Sequence, residues 1–416
     1  MIAACGQMEA LTLEESPRVW PAVERLADQA VASRADLLVL PETTYPAYWL
    51  QSVDRYMQSD VLRSVEVLRR FAALARSHRM WLVVGFVEER SGRLYNSAAV
   101  FDRAGGLIGI ARKNFLWDCD NRWFAPGESI AALDTEFGRV GVLICADCRA
   151  PEIAATLVAD GARMLILPTA WVNVGKPGGP HCNIHPEFLI RARAMEFGVP
   201  FICCSKAGRE GGHLGYVGQS RIVAADGQTR AEAPAEGECL IVAEIAPGQP
   251  RVAEWDEGIR ARLQARVPAF RADQPGPRIT VQVKHDAIAV ADALGAAGTR
   301  VAVLSVRHLS TFAPARYHGL NGVQVLVVHG RIENGAFIRA RAAENRVFVV
   351  AAADHVQMIV QPDGSFLYRE GDPGGAVELD LAQADLKQFT PETDIWHQRR
   401  VECYRLPGDT AITCGS

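Results

Sequence analysis

The chain predicts an α/β protein in which mixed sheets are covered by helices, and three observations carry that reading. Apolar runs of strand length alternate with stretches of helical period and then follow one another directly. Three of those runs end on residues with chemistry: Glu42, Lys113 and Cys145. Part of the pattern also occurs twice.

Ile2 to Gln7 reads as the first strand. Ser16-Pro17 reads as N-cap and first residue of a helix, with Val19, Val23, Leu26, Ala30 and Val31 at helical spacing. Asp36-Leu-Leu-Val-Leu-Pro41-Glu42 is a second strand, ending in a carboxylate. A second helix is expected from about Asp60, with Val61, Val65, Leu68, Phe71, Ala72 and Ala75 on one face. Trp81 to Val87, Ala98 to Phe101 and Leu107 to Ala111 are successive strands, the last running into Arg112-Lys113. Val140 to Cys145 is another, and its thiol stands where the chain turns into a helix. A helix, the strand Arg163 to Leu167, a helix through Arg191–Phe197 and strands near 200–205, 218–225 and 239–245 complete this part.

Each of the three strand-end residues is ordinary alone. Most buried cysteines are small hydrophobes, a glutamate after proline is usually solvated, and a lysine after arginine is usually surface charge. Together they are the parts that amide hydrolysis through a thiol needs. Cys145 is the nucleophile, Glu42 the base that takes its proton and later loads the leaving amine, and Lys113 the cation for the tetrahedral oxyanion. Backbone N–H groups at the turn can hold the same oxyanion, and a helix N-terminus there favours thiolate.

In sequence order the chain carries Leu40-Pro41-Glu42, then Arg112-Lys113 with Trp117-Asp118, then Cys145-x-Asp147-x-Arg149-x-Pro151-Glu152. Phe124-x-Pro126-Gly127, Arg191 to Glu196, Gly218-Gln-Ser220 and Ala225-Asp226-Gly227 accompany them. From residue 1 to about 250 this set resembles the nitrilase superfamily, the carbon–nitrogen hydrolases. The resemblance implies a Glu–Lys–Cys triad in a four-layer α-β-β-α sandwich, with no metal and no organic cofactor. Many members carry a second glutamate seven residues before the glycine of Phe-x-Pro-Gly. Here that position is Asp120, one methylene shorter, which leaves its auxiliary role, orienting the lysine or helping the base, open.

The pattern after Cys145 is closer to the amidase and carbamoylase branches, because true nitrilases commonly place Trp-Glu there and this chain has Ala146-Asp147. Tyr45-Pro-Ala-Tyr48-Trp49 keeps a nitrilase reading open. Substrate contacts are expected from Tyr48, Trp117, Ala146, Arg149 and Trp171, with Arg149 either meeting a substrate carboxylate or pairing internally with Asp147 or Glu152. The expected activity is cleavage of a non-peptide C–N bond in a small amide or N-carbamoyl compound. The alternatives are a nitrilase acting on C≡N, or an inactive binding or scaffold subunit.

At 416 residues the chain suggests two or three domains, and 49% hydrophobic with 22% charged residues predicts a large core. A net charge of −4 with no concentrated basic face argues against nucleic acid. Several of the ten cysteines lie inside apolar strands at irregular spacing, which predicts a reduced, cytoplasmic protein. His181, His185, Cys119, Cys148 and Cys182 lack zinc-ligand spacing. There is no apolar run of membrane-spanning length and no signal-peptide pattern. A homo-oligomer is expected on family grounds.

The expected domains are a catalytic domain over 1–250, a Pro/Arg-rich connector over 251–278 and a degenerate half-domain over 279–406. The connector holds a solvated helical piece from Val252 to Arg266 with acidic residues among its arginines. In the half-domain Arg300 to Val306 echoes Arg139 to Cys145, and Gly322 to Val328 echoes Gly161 to Leu167. Arg339 to Glu344 echoes Arg191 to Glu196, and Pro362-Asp-Gly364 echoes Ala225-Asp-Gly227. Val306 stands where Cys145 would, so this partial α/β copy lacks the nucleophile, and no counterpart of Glu42 or Lys113 is evident. Its apolar strands need cover on both faces, which a half sandwich is expected to find on the first domain or another subunit.

Overall fold

The computed structural model describes residues 1–175, 181–251, 253, 255–266, 276–282, 286–352, 357–372 and 376–406. The chain divides into two units: Met1–Cys148, Glu152–Val252 and Arg405–Ser416 in the first, Arg149–Pro151 and Ala253–Tyr404 in the second.

The first unit runs β1 (Ile2–Glu9), α1 (Val19–Ala32), β2 (Leu37–Val39), α2 (Val53–Gln58), α3 (Ser64–His78), β3 (Trp81–Arg90), β4 (Arg93–Phe101) and β5 (Leu107–Arg112). It continues through α4 (Asp120–Trp123), β6 (Leu133–Thr135), β7 (Gly138–Val142), α5 (Pro151–Ala159), β8 (Leu165–Pro168), α6 (Ile190–Phe197) and β9 (Phe201–Cys204). It closes with β10 (Lys206–Glu210), β11 (Leu214–Val217), β12 (Arg221–Val223), β13 (Thr229–Glu232) and β14 (Cys239–Glu244). One sheet has the order β11-β10-β1-β2-β3-β4-β5, with β14 also paired to β1, and the other has β13-β12-β9-β8-β7-β6.

Burial on both faces explains why the central strands read as unbroken apolar runs. Cys5, Val39, Val83 and Val100 of the first sheet meet Val142, Ile166, Ile202 and Ile222 of the second. The other face of the first sheet packs Leu82 and Phe101 against Leu26 of α1 and Phe71 of α3. On the second sheet's far side α5 lies so close that a Cβ on Gly141 would sit 3.0 Å from Leu157. Helices therefore lie outside and two sheets inside.

Several element boundaries differ from expectation. α1 begins at Val19 after a 3-10 turn over Ser16–Arg18. Ser16 does not cap the helix; its hydroxyl donates to the Thr12 carbonyl (3.0 Å) and accepts from the Ala47 N–H (2.9 Å). α3 begins at Ser64, and the unexpected α2 precedes it. Val31 and Val65, expected on buried faces, are exposed. β4 starts five residues before its apolar part, because the polar Asn96 and Ser97 are also buried.

The second unit runs α7 (Glu257–Gln264), β15 (Arg278–Gln282), α8 (Ala287–Ala296), β16 (Val301–Ser305), α9 (Ala313–Leu320), β17 (Val325–His329), α10 (Gly335–Asn345) and β18 (Phe348–Ala352). β19 (Gln357–Val360), β20 (Phe366–Arg369), β21 (Ala376–Asp380), α11 (Ala382–Asp385), β22 (Gln388–Thr390) and β23 (Thr393–Asp394) follow. α7 is the helix expected in the connector, N-capped by Asp256 on the Ile259 N–H (2.8 Å), and it clusters with this unit. Residues 267–275 of that connector lie outside the described residues. The main sheet has the order β16-β17-β18-β19-β20, parallel through β18 and antiparallel after it.

The expectation that this sheet must borrow a cover is corrected. One face packs Leu326 and Val349 against Ala315 of α9 and Ile338 of α10. The other packs Val325, Val327 and Val350 against Val290 of α8 and the β15–β21 pair, through Val281 and Leu379. Among the described residues, no helix of either unit is long and apolar enough to cross a membrane.

Candidate active site

Glu42 stands three residues past β2, Lys113 directly after β5, and Cys145 in the turn that follows β7. The structure brings the first two into contact: Lys113 Nζ donates to Glu42 Oε1 at 2.7 Å. Both side chains are buried. Asn96 Nδ2 donates to the same Glu42 oxygen (2.7 Å), and the Asn96 carbonyl accepts from the Lys113 backbone N–H (2.8 Å). β4 thus holds both residues. Below Glu42, β3 presents Gly85, where a Cβ would lie 2.4 Å from the Pro41 carbonyl and 2.6 Å from Glu42 Cα. Only glycine allows that approach.

Asp120, at the start of α4, is the second carboxylate on the lysine, 2.6 Å from Nζ, and it also accepts from the Trp117 N–H at 2.8 Å. One ammonium therefore sits between two carboxylates. Burial works against its charge, but Asp120, Glu42 and Cys145 outweigh it and hold Lys113 well above the usual lysine range. Burial, opposed by Lys113, pushes Asp120 up. Glu42 Oε2 and Asp120 Oδ1 are buried without a hydrogen-bond partner among the described residues. Buried acceptors normally find donors, so these two oxygens suit a bound molecule with N–H or O–H groups.

Cys145 adopts the left-handed backbone region, with φ of 47°. Such strain in a non-glycine residue is typical of functional positions. Its thiol keeps some solvent access yet is surrounded by protein. Burial, then the Glu42 carboxylate, pushes it up to about 12; Lys113, Thr169 and the Ala170 backbone only partly oppose this. The helix N-terminus expected to favour thiolate does not begin at the sulfur, and that expectation is corrected. A 3-10 turn over Cys145–Arg149 separates the sulfur from α5, and the resting thiol is protonated. It reacts only if a base takes the proton.

Asp147 ties the cysteine turn to the lysine segment. Its carboxylate accepts from the backbone N–H groups of Asn114 (2.9 Å), Phe115 (2.7 Å) and Ile144 (2.9 Å). Burial pushes it up to about 7 even so. Of the expected substrate contacts, Tyr48 lies on the lysine side, its ring 5.6 Å from Lys113 Nζ. Trp117 reaches Asp120 through its backbone, Ala146 is buried within the 3-10 turn, and Trp171 follows Ala170 with its ring stacked on His185 at 5.9 Å. Arg149 is placed differently: it is buried with its guanidinium 5.4 Å from the Phe389 ring, and both residues cluster with the second unit.

Two groups of site residues were not anticipated. Asn96 lies ahead of the expected strand start at Ala98 and drew no reading. Lys206, Glu210 and Tyr216 form a second buried polar group beside the segment after Glu42. The signal available for them was a lysine and a glutamate four apart directly after the apolar Phe201-Ile-Cys-Cys204.

A family model described as carbon-nitrogen hydrolase matches residues 2–255. The chain is 32% identical over 226 residues to omega-amidase NIT3 of Saccharomyces cerevisiae, covering 51% of this chain and 75% of that one. It is 28% identical over 238 residues to N-carbamoylputrescine amidase of Arabidopsis thaliana, covering 54% and 80%. In fold it is similar to an amidase from Nesterenkonia sp. AN1, whose structure records acrylamide added at its active-site cysteine. The TM-score is 0.51 at 24% identity, over 59% of this chain and 92% of that one. The family match spans more than half of the chain, and it covers every strand end that carries Glu42, Lys113 and Cys145. The chain belongs to the carbon–nitrogen hydrolases of the nitrilase superfamily and is an amidase-like enzyme.

Proposed function

We propose that this enzyme hydrolyses a small non-peptide amide or N-carbamoyl compound through a thioester on Cys145. The observation that carries the reading is the buried Lys113 Nζ, 2.7 Å from Glu42, beside a thiol that burial keeps protonated. Glu42 takes the thiol proton as sulfur attacks the carbonyl carbon. Lys113 and a backbone N–H near residue 146 hold the oxyanion. The C–N bond breaks, and the amine leaves with the proton stored on Glu42. Glu42 then takes a proton from water, whose oxygen attacks the thioester, and the thiol is reformed. Asp120 holds Lys113 in place, and its free oxygen accepts from the substrate nitrogen. The names of relatives, an omega-amidase and an N-carbamoylputrescine amidase, support the amide and carbamoyl classes.

The second unit is proposed as a non-catalytic partial copy of the cysteine-bearing half. In support, β16-β17-β18-β19-β20 repeats the strand directions of β7-β8-β9-β12-β13, with register shifts at Ile359/Val360 and Ile222/Val223. The test is a screen of amides, N-carbamoyl amines and nitriles read by ammonia release, with Cys145→Ser as control. Turnover of amides or carbamoyl compounds that vanishes in the variant is the expected result. Turnover confined to nitriles overturns the substrate class. No turnover, with Cys145 inert to iodoacetamide at neutral pH, overturns the catalytic reading.

A further inference from the structure

We propose that Lys206 and Glu210 are positioning residues that hold the Glu42 segment in its reacting geometry. The inference rests on the reading of Glu42 as the base. Between Pro41 and Trp49 the chain forms no regular element, and its only ladder contact is the bridge from Tyr45 to Phe86. Thr43, the residue after Glu42, is held at φ of 41°, in the left-handed region. Backbone hydrogen bonds tie Pro41, Thr44 and Tyr45 to β3, and Ser16 holds the Ala47 N–H; two buried charges add side-chain contacts at Thr43 and at Trp49.

Lys206 opens β10, which is anchored on β1 through the pairs Met8–Lys206 and Glu9–Ala207. Its Nζ donates to Thr43 Oγ1 at 3.3 Å and lies 3.8 Å from Glu210 Oε2. The Thr43 hydroxyl in turn donates to the Glu42 carbonyl at 2.9 Å. Glu210 closes β10. Its Oε1 accepts the Trp49 backbone N–H at 2.6 Å, and its Oε2 accepts the Tyr216 hydroxyl of β11 at 2.7 Å. One ion pair therefore pins the segment at Thr43 and again at Trp49.

Both charged side chains are almost completely buried, at 4% and 1% exposure. Burying charge is costly unless geometry repays it, and apolar residues would fill this space at less cost if packing were the only need. Burial pulls the Lys206 ammonium down, while Glu210 and then Glu42 oppose it, so Glu42 lies within its field. A cavity of about 10 Å³, lined by Pro41, Thr44, Ala47 and Lys206, is of the size that holds a single water beside the ammonium.

The charged and titratable groups that face Glu42 are Lys113 after β5, Asp120 of α4, Cys145 after β7, Lys206 of β10, and the hydroxyls of Tyr48 and Tyr216. Removing one of them changes the field there with a definite sign. The experiment measures kcat and KM across pH for Lys206→Met, Lys206→Arg, Glu210→Gln and Glu42→Gln, with Tm alongside. Lys206→Met is expected to lower kcat by about 10²-fold with KM changed less than about threefold, the pattern of lost alignment rather than lost binding. The acid limb of its kcat/KM profile moves up, because a positive charge has gone. Glu210→Gln moves that limb down, and Lys206→Arg restores part of kcat. The inference is overturned if folded Lys206→Met keeps kcat within about twofold of wild type. It is also overturned if both charge changes move the limb the same way, or if all losses follow the folded fraction alone. Activity surviving in Glu42→Gln would instead remove the base reading beneath it, whatever the Lys206 variants do.

Discussion

The turn after β7 and the turn after β16 are built alike and differ in one respect that matters. Each follows the first of three parallel strands, and each is a 3-10 turn of five residues, Cys145–Arg149 and Val306–Ser310. Each receives a buried arginine from the second α-helix that follows it. Arg193 Nε donates to the Cys148 carbonyl (3.2 Å), and Arg341 Nε to the Leu309 carbonyl (3.0 Å). Both arginines pair with the glutamate three residues on, Glu196 and Glu344. Yet Cys145 carries a positive φ and Val306 does not. A β-branched residue would resist that conformation, and a turn without a nucleophile has no use for it. The framework of the site is therefore architectural and shared, whereas the strain belongs to the chemistry.

The largest effect should come from the one atom that separates the two turns. Cys145→Ser should lower turnover by about 10³-fold or more with Tm nearly unchanged, since a hydroxyl beside the same base remains a far weaker nucleophile. Activity within about tenfold of wild type would remove the thiol mechanism. Glu42→Gln and Lys113→Ala should each cost about 10²- to 10³-fold in kcat. In Glu42→Gln, alkylation of Cys145 by iodoacetamide at neutral pH should be much slower than in wild type, because the base is gone, although the thiol itself is no longer pushed up by the Glu42 carboxylate. Wild type should react already at neutral pH.

The shared arginines test the other half of the comparison. Arg193→Met and Arg341→Met should each destabilise the protein by about 3 kcal/mol or more, because each breaks a buried ion pair by removing one partner. Denaturant melts would show it, and a large difference between the two would break the parallel. Asp120→Asn should slow turnover by about tenfold, and Asp120→Glu should be tolerated. A loss as deep as that in Glu42→Gln would give the aspartate a share of the base role. The smallest effect is expected from Val306→Cys. It should add no activity to Cys145→Ser protein, because among the described residues nothing in the second unit plays Glu42 or Lys113 to it.

The three strand-end residues were legible because an apolar run that stops on a charged or thiol side chain leaves a mark in one dimension. The doubled strand pattern was legible for the same reason. Asn96 left no such mark. It lies inside β4, where polarity suggested that the strand had not yet begun, and its role appears only when Glu42 meets its side-chain nitrogen and the Lys113 N–H meets its backbone carbonyl. α2 was missed because it is six residues long and exposes Val53 and Met57, so its apolar period faces water. The start of the helix after Cys145 was out of reach as well, because the 3-10 turn that intervenes has no apolar period to announce it, and burial, then Glu42, pushes the thiol up instead.

Gly85 extends the reach of the chemistry to a position that has none. It lies in the middle of a central strand, bears no functional group, and would pass for a neutral spacer in a comparison of variants. Because the Pro41 carbonyl and Glu42 Cα sit where its side chain would be, the smallest possible enlargement, to alanine, must move either the strand or the glutamate. Variation in this enzyme is therefore constrained by clearance as much as by reactivity. A harmful natural variant at position 85 would be a lesion of the active site although every reacting atom was still present.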